Sequence, residues 1–195
     1  MKILIQFTGA QSSGKTTLVE ELKKRAKVSY SYINEVPRDL FNSHIISHID
    51  IKATFTEQLM IQHEFLLERY KAIGEGNDLI LSCRSPMDVI AYGQNLKDAN
   101  TTTLDTYVRT AAEKYLLYTL NRKDYKVITF YTEILDEFEE DGIRLKESNK
   151  FIDKTIIELL YHYKVPVTKL SNTSVEDRLR KIELVLKPYN LFNWD

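Results

Sequence analysis

Eight consecutive residues, Gly9-Ala10-Gln11-Ser12-Ser13-Gly14-Lys15-Thr16, set two glycines, an amine and a hydroxyl at the spacing G-x-x-x-x-G-K-T. That spacing suits the holding of a polyphosphate. Glycines let the backbone curl until successive N–H groups point inward at phosphate oxygens. A helix beginning near Lys15 aims its positive dipole end at the same anion. Lys15 is expected to reach the β- and γ-phosphates of ATP, and the Thr16 hydroxyl to ligate Mg²⁺. Gly9, Ser12, Ser13, Gly14 and Thr17 complete the expected cradle. An ordinary Gly/Ser turn shares this composition, so the flanking elements decide between the two.

Those elements have the required order. Ile3 to Phe7 is a short apolar run that reads as a buried strand of a parallel sheet. From Lys15 to Ala26, Leu18, Leu22 and Ala26 recur every four residues on one helical face. Tyr30 to Ile33 is a second strand, leading into Asn34-Glu35-Val36-Pro37. The pattern from Leu40 to Ile51 is weak. A long helix follows from Thr54 to Ile73, capped by Thr54 or Thr56, with Phe55, Leu59, Leu66, Tyr70 and Ile73 as its apolar stripe and Gly74 and Gly76 as its stop. Leu79 to Leu81 is the third strand, and Pro86 opens the next helix. Further helices are marked by Leu104 to Tyr118 and Ile152 to Tyr163, further strands by Val127 to Phe130 and Val165 to Leu170. Thr173-x-x-Glu176 reads as a capping box for the last helix. Strand–helix alternation argues for an α/β fold of three layers, a parallel sheet flanked by helices. Ligands in such sheets bind beyond the carboxyl ends of the strands. Three segments fall there: Gly9 to Thr17, Glu35 to Arg38, and Cys83 to Asp88.

The 195 residues fit one domain, 1–195, with a charged stretch near 133–150 as a short lid. An apolar fraction of 43% is that of a globular chain. A net charge of −1 gives no global attraction to nucleic acid or an anionic membrane. No apolar run is long enough to span a bilayer, and nothing resembles a signal peptide. One cysteine, Cys83, cannot form an internal disulfide, which places the chain in a reducing, cytoplasmic setting. His44, His48 and Asp50 lack the further ligand and base that a zinc site needs.

A guanine-reading Asn-Lys-x-Asp segment is missing: Asn121-Arg122-Lys123-Asp124 has the wrong order. The third strand ends Leu81-Ser82-Cys83, without the adjacent acids of a motor ATPase. The chain resembles the small P-loop nucleoside and nucleotide kinases, close to ribosylnicotinamide-kinase-like domains and phage-encoded nucleotide kinases. The segments that carry the resemblance are Gly9 to Thr17, Asn34-Glu35-Val36-Pro37-Arg38, Arg84-Ser85-Pro86-Met87-Asp88 and Glu140-Asp141-Gly142-Ile143-Arg144. It implies transfer of the γ-phosphoryl group of Mg·ATP to a base-bearing nucleoside or nucleotide, in the cytoplasm of a host if the chain is phage-encoded.

The resemblance also implies roles for single residues. Glu35 is placed to take the proton of an attacking hydroxyl, worth about 10²–10⁴ in rate. Arg38 holds an acceptor anion or orients Glu35. Arg84 neutralises the transferring phosphoryl or positions the acceptor. Asp88 bonds Arg84 or the backbone, as an acceptor-site or a structural group. Arg144, in the lid, folds over the phosphates. Gln58, Gln62 and Phe65, on one helical face with Arg69, bond and stack on a base, as in similar helices of deoxynucleoside kinases. Relatives of this type usually have Asp or Glu where this chain has Cys83. Two other readings stay open. One is a kinase acting on a hydroxymethylated base within DNA, and the other a non-catalytic ATP-binding regulatory module.

Overall fold

The computed structural model describes residues 2–96, 102–120, 123–135 and 146–194. Within them the chain runs β1 (Lys2–Thr8), α1 (Lys15–Arg25), β2 (Tyr30–Ile33), α2 (Val36–Asn42), α3 (Phe55–Gly74), β3 (Leu79–Ser82), α4 (Pro86–Gln94), α5 (Thr103–Tyr118), β4 (Tyr125–Thr132), α6 (Lys146–His162), β5 (Val167–Leu170) and α7 (Val175–Leu186), closed by a 3₁₀ turn at Lys187–Tyr189. The five strands form one parallel sheet in the order β2-β3-β1-β4-β5. Register sets Gln6 of β1 opposite Ser82 of β3 and Thr129 of β4. The carboxyl ends of the strands therefore form one edge, which delivers Gly9, Asn34, Cys83, Glu133 and Ser171 to the same side.

Alternation along β1 builds two cores. Ile3, Ile5 and Phe7 face Leu18 and Leu22 of α1 and Leu179, Ile182 and Leu186 of α7. Leu4 faces the other way, with Ile61 and Phe65 of α3, Ile90 of α4, Leu116 of α5 and Ile156 of α6. Buried Phe192 finishes the first core: Ala26 and Phe192 form an antiparallel bridge, so the C-terminal segment pairs with the end of α1. Among the described residues, no helix is long and apolar enough to cross a membrane.

Three local expectations change. The segment after β2 is helical, with Pro37 in the first turn, where its missing N–H costs nothing. Helix α7 is capped by Ser174, whose Oγ accepts from the Asp177 N–H at 3.1 Å, one residue later than the Thr173/Glu176 box. The largest change is the face of α3. It buries Gln58, Ile61, Gln62, Phe65, Arg69 and Ala72, and leaves Tyr70 exposed and Leu59, Leu66 and Ile73 half-buried. The reason is polar. Gln58 Nε2 donates to the Val89 carbonyl at 3.0 Å, and Arg69 Nη1 donates to Gln6 Oε1 at 3.1 Å. Gly93 of α4 leaves space where a Cβ would come within 2.7 Å of Gln62 Nε2.

Candidate active site

The turn between β1 and α1 is built by glycines with a geometric reason to be there. Gly9 has φ +146°, and a Cβ on it would lie 2.3 Å from the Thr132 carbonyl oxygen. Gly14, at φ +81°, starts α1 in the left-handed region. No side chain caps α1 and no acid occupies its first turn, while Lys23, Lys24 and Arg25 occupy its last. Its N–H-rich end is thus left to an external anion.

Neighbouring elements hold this loop. Asp88 Oδ1 accepts from the Gly9 N–H at 3.0 Å, and its Oδ2 accepts from the Ser85 N–H and Oγ–H, capping α4. Asp153 accepts from the Ala10 N–H at 3.4 Å and from the Tyr131 hydroxyl at 2.7 Å. Burial pushes the Asp153 carboxyl up despite those donors. Asn149 Nδ2 donates to the Gln11 carbonyl, and Arg178 Nη1 donates to the Ser13 carbonyl at 2.7 Å. Lys15 is buried and folded back on the loop, its Nζ donating to Gly9 O at 2.7 Å and Ala10 O at 2.6 Å. Burial lowers it to about 8, against the pull of Asp88.

Across the cleft, Glu35 stands between two guanidinium groups. Arg84 Nη2 is 3.3 Å from Oε1, and Arg38 Nε is 3.8 Å from Oε2. Burial works to lower Arg84, but Glu35, joined by Tyr92, Cys83 and Asp88, outweighs burial and holds it above its ordinary value. Cys83 accepts a hydrogen bond from the Tyr32 hydroxyl at 3.6 Å. Burial pushes its thiol up, which keeps it protonated. Lys15, Thr16, Thr17, Glu35, Arg38, Cys83 and Arg84 share one cleft of about 600 Å³. A larger hollow, about 980 Å³, lies around the end of α6 at Tyr161 to Val165 and contains none of these residues. The candidate residues gather in the smaller one.

A profile of the AAA domain family matches residues 4–178. The chain belongs to that family. No curated protein sequence matches it. Among solved structures, this AAA-domain chain is similar to the NadR protein in complex with NR (14% identity, TM-score 0.71), with 94% of this chain and 51% of the other covered. It is also similar to NadR in complex with NAD and AMP-PNP (12% identity, TM-score 0.68), over 94% and 49%. A third is the thymidylate kinase of Candida albicans (16% identity, TM-score 0.62), over 96% and 92%. The chain spans about half the length of the NadR chains. The fold is that of the P-loop kinases, as the resemblance in the sequence implied.

Of the residues singled out in the sequence, this AAA-domain structure brings Ser12 to Thr17, Glu35, Arg38 and Arg84 into one cleft, with Gly9 buried at the start of the loop. Asp88 lies beneath the loop, not in the cleft: fully buried, it is spent on Gly9 and Ser85, which makes it structural. Gln58, Gln62 and Phe65 are corrected too. They are at most 3% exposed and packed between α3 and α4, so Phe65 offers no ring face to a base. Arg144 lies outside the described residues. Sequence reasoning missed Asn149, Asp153 and Arg178, which carry no motif around them. It gave no separate role to Gln11, a cleft residue whose buried side-chain amide has neither polar atom bonded among the described residues.

The residues present suit a polyphosphate with a cation: Lys15 and Arg84 line the cleft, no side chain caps the start of α1, and exposed Thr16 stands in its first turn.

Proposed function

We propose that this protein is a phosphotransferase that moves the γ-phosphoryl group of ATP to a hydroxyl or phosphate oxygen of a nucleoside or nucleotide. The observation that carries the reading is the single cleft shared by the phosphate loop, Lys15, Glu35 and Arg84. The kinase fold and the nucleotides bound by the NadR structures support the substrate class.

In this reading Lys15 leaves the Gly9 and Ala10 carbonyls and turns to the β- and γ-phosphates. Thr16 would hold Mg²⁺, which would supply charge neutralisation. Arg84 holds Glu35 with its carboxylate toward the acceptor. An acceptor hydroxyl gives its proton to Glu35 as its oxygen bonds to the γ-phosphorus. The bond from that phosphorus to the β–γ bridging oxygen breaks, and ADP leaves. Arg38 sits at the cleft mouth, where it meets a negative group on the acceptor. Arg144, whose role comes from the resemblance alone, would contact the phosphates. Cys83, protonated and bonded to Tyr32, takes no proton, so Glu35 carries the base role alone.

Incubation with γ-labelled ATP and a panel of nucleosides, nucleotides and hydroxymethylated duplex DNA tests this. Label is expected in a free nucleoside or nucleotide. Label in DNA alone would overturn the acceptor class, and ATP binding without transfer to any acceptor would leave a regulatory module.

A further inference from the structure

One cation that no motif marks has all three of its guanidinium nitrogens engaged. Arg178, on the first turn of α7, is 3% exposed. Its Nη1 donates to the Ser13 carbonyl at 2.7 Å, its Nε to the Ser171 carbonyl at 2.8 Å and its Nη2 to the Glu133 carbonyl at 3.5 Å. These acceptors belong to the loops after β1, β5 and β4. All three are backbone carbonyls. No carboxylate hydrogen-bonds to the guanidinium among the described residues; the Glu133 carboxylate acts on it from further away and offsets part of its charge, while the carbonyl dipoles solvate it.

Two consequences meet at Gly14. All peptide bonds described are trans, so the carbonyl and the N–H of the Ser13–Gly14 unit point in opposite directions. Drawing the Ser13 carbonyl down onto Arg178 turns the Gly14 N–H away from Arg178. The guanidinium also lies directly against Gly14, 3.3 Å from where its Cβ would be. A buried positive charge therefore sits behind the peptide that starts α1, and Gly14 itself lines the cleft.

We propose that Arg178 is a positioning residue of the phosphate site. It fixes the Ser13–Gly14 peptide with the N–H toward the phosphates, and it adds positive potential from behind the loop. The inference rests on the reading of that loop as the ATP site. It gives α7, the last helix of the chain, a part in binding the donor that no contact with the donor would reveal.

The test compares Arg178→Met and Arg178→Lys with wild type, using inorganic tripolyphosphate and Mg·ATP as probes. Titrations run well below each melting temperature, with folding checked by far-UV circular dichroism. Arg178→Met is expected to weaken both probes by at least tenfold, because the loss is at the phosphates and not at the base. Arg178→Lys, which keeps a charge, should recover part of that loss. The KM for the acceptor should change by less than twofold in either variant. A role confined to holding α7 in place predicts a lower melting temperature with wild-type affinity in the folded protein, and that result overturns the proposal. So does an equal rise in the acceptor KM. Should Arg178→Met fail to fold, Arg178→Lys decides: a several-fold weaker tripolyphosphate affinity supports the proposal, and wild-type affinity overturns it. The wild-type titration separately tests the ATP site, since tripolyphosphate that does not bind there removes the premise as well.

Discussion

The two walls of the cleft are built differently. On the donor wall, the phosphate loop is held from several sides: Asp88 at Gly9, Asp153 at Ala10, Asn149 at Gln11, Thr132 at the Ser13 hydroxyl and Arg178 at the Ser13 carbonyl. These contacts come from α4, α6, β4 and α7. On the acceptor wall, Glu35 and two arginines meet in ion pairs of 3.3 and 3.8 Å, and the Arg38 side chain is 35% exposed. A loop backbone fixed before its ligand arrives leaves only the Lys15 side chain to reorganise, and charge stabilisation depends on that preorganisation. A looser wall adjusts to what it receives. Under the proposed transfer reaction, the difference separates a wall that would hold the donor constantly from one with room to change the acceptor.

The comparison breaks first at Lys15. Lys15→Ala should cut turnover by about 10²–10³, the scale of losing one charged donor at a developing anion, and should abolish the rise in melting temperature that saturating Mg·ATP gives the wild type. A full thermal shift in the variant would mean that the donor wall is elsewhere. Glu35→Gln comes next, with an expected loss of about 10² in kcat and little change in ATP affinity. Wild-type turnover would remove Glu35 as the base.

Gly9→Ala tests rigidity directly. Its Cβ meets the Thr132 carbonyl at a φ that L-residues avoid, so a loss of about 1–3 kcal/mol is expected, or roughly 2–12 °C in melting temperature. An unchanged melt would show that the loop yields. A smaller effect is protonic. Lys15 sits near 8 in the free protein, and bound phosphates should return it toward about 10.5. At pH 9 binding should then take up about 0.9 proton, falling to about 0.1 at pH 7. Calorimetry in buffers of different ionisation enthalpy measures this, and equal uptake at both values refutes it. For the same reason Lys15 binds more protons unfolded than folded between about 8 and 10.5, so its contribution to stability rises with pH across that window. The smallest effect belongs to Arg38. Arg38→Ala should raise the acceptor KM a few-fold with ATP affinity unchanged, since an exposed ion pair is worth about 1 kcal/mol or less.

The same contrast governs what the sequence makes legible. A phosphate loop depends on short-range spacing, and spacing is visible in a linear chain. Glu35, Arg38 and Arg84 are legible because each directly follows or lies close behind a strand. Burial on α3 is not legible, because it depends on partners far away. Gln58 and Arg69 look polar until Val89 and Gln6 take up their hydrogen bonds, and Leu59 then looks more buried than it is. Asp88 is ambiguous in sequence because its two oxygens serve groups before and beside it in space. Arg178 is invisible because its acceptors are backbone carbonyls, which every residue has.

The hydrogen bond from Arg178 to Ser13 joins residues 165 positions apart, and Phe192 pairs with Ala26 across a similar span. Contacts of such long range close late, because the entropy of bringing the ends together comes before any gain from the contact. The loop between β1 and α1 is therefore expected to acquire its final shape late, once α7 docks beside α4, α6 and β4. During refolding, tight binding of a nucleotide should appear with the slowest phase rather than with the first growth of helix, and a fluorescent ATP analogue would serve as a clock for the last step of folding.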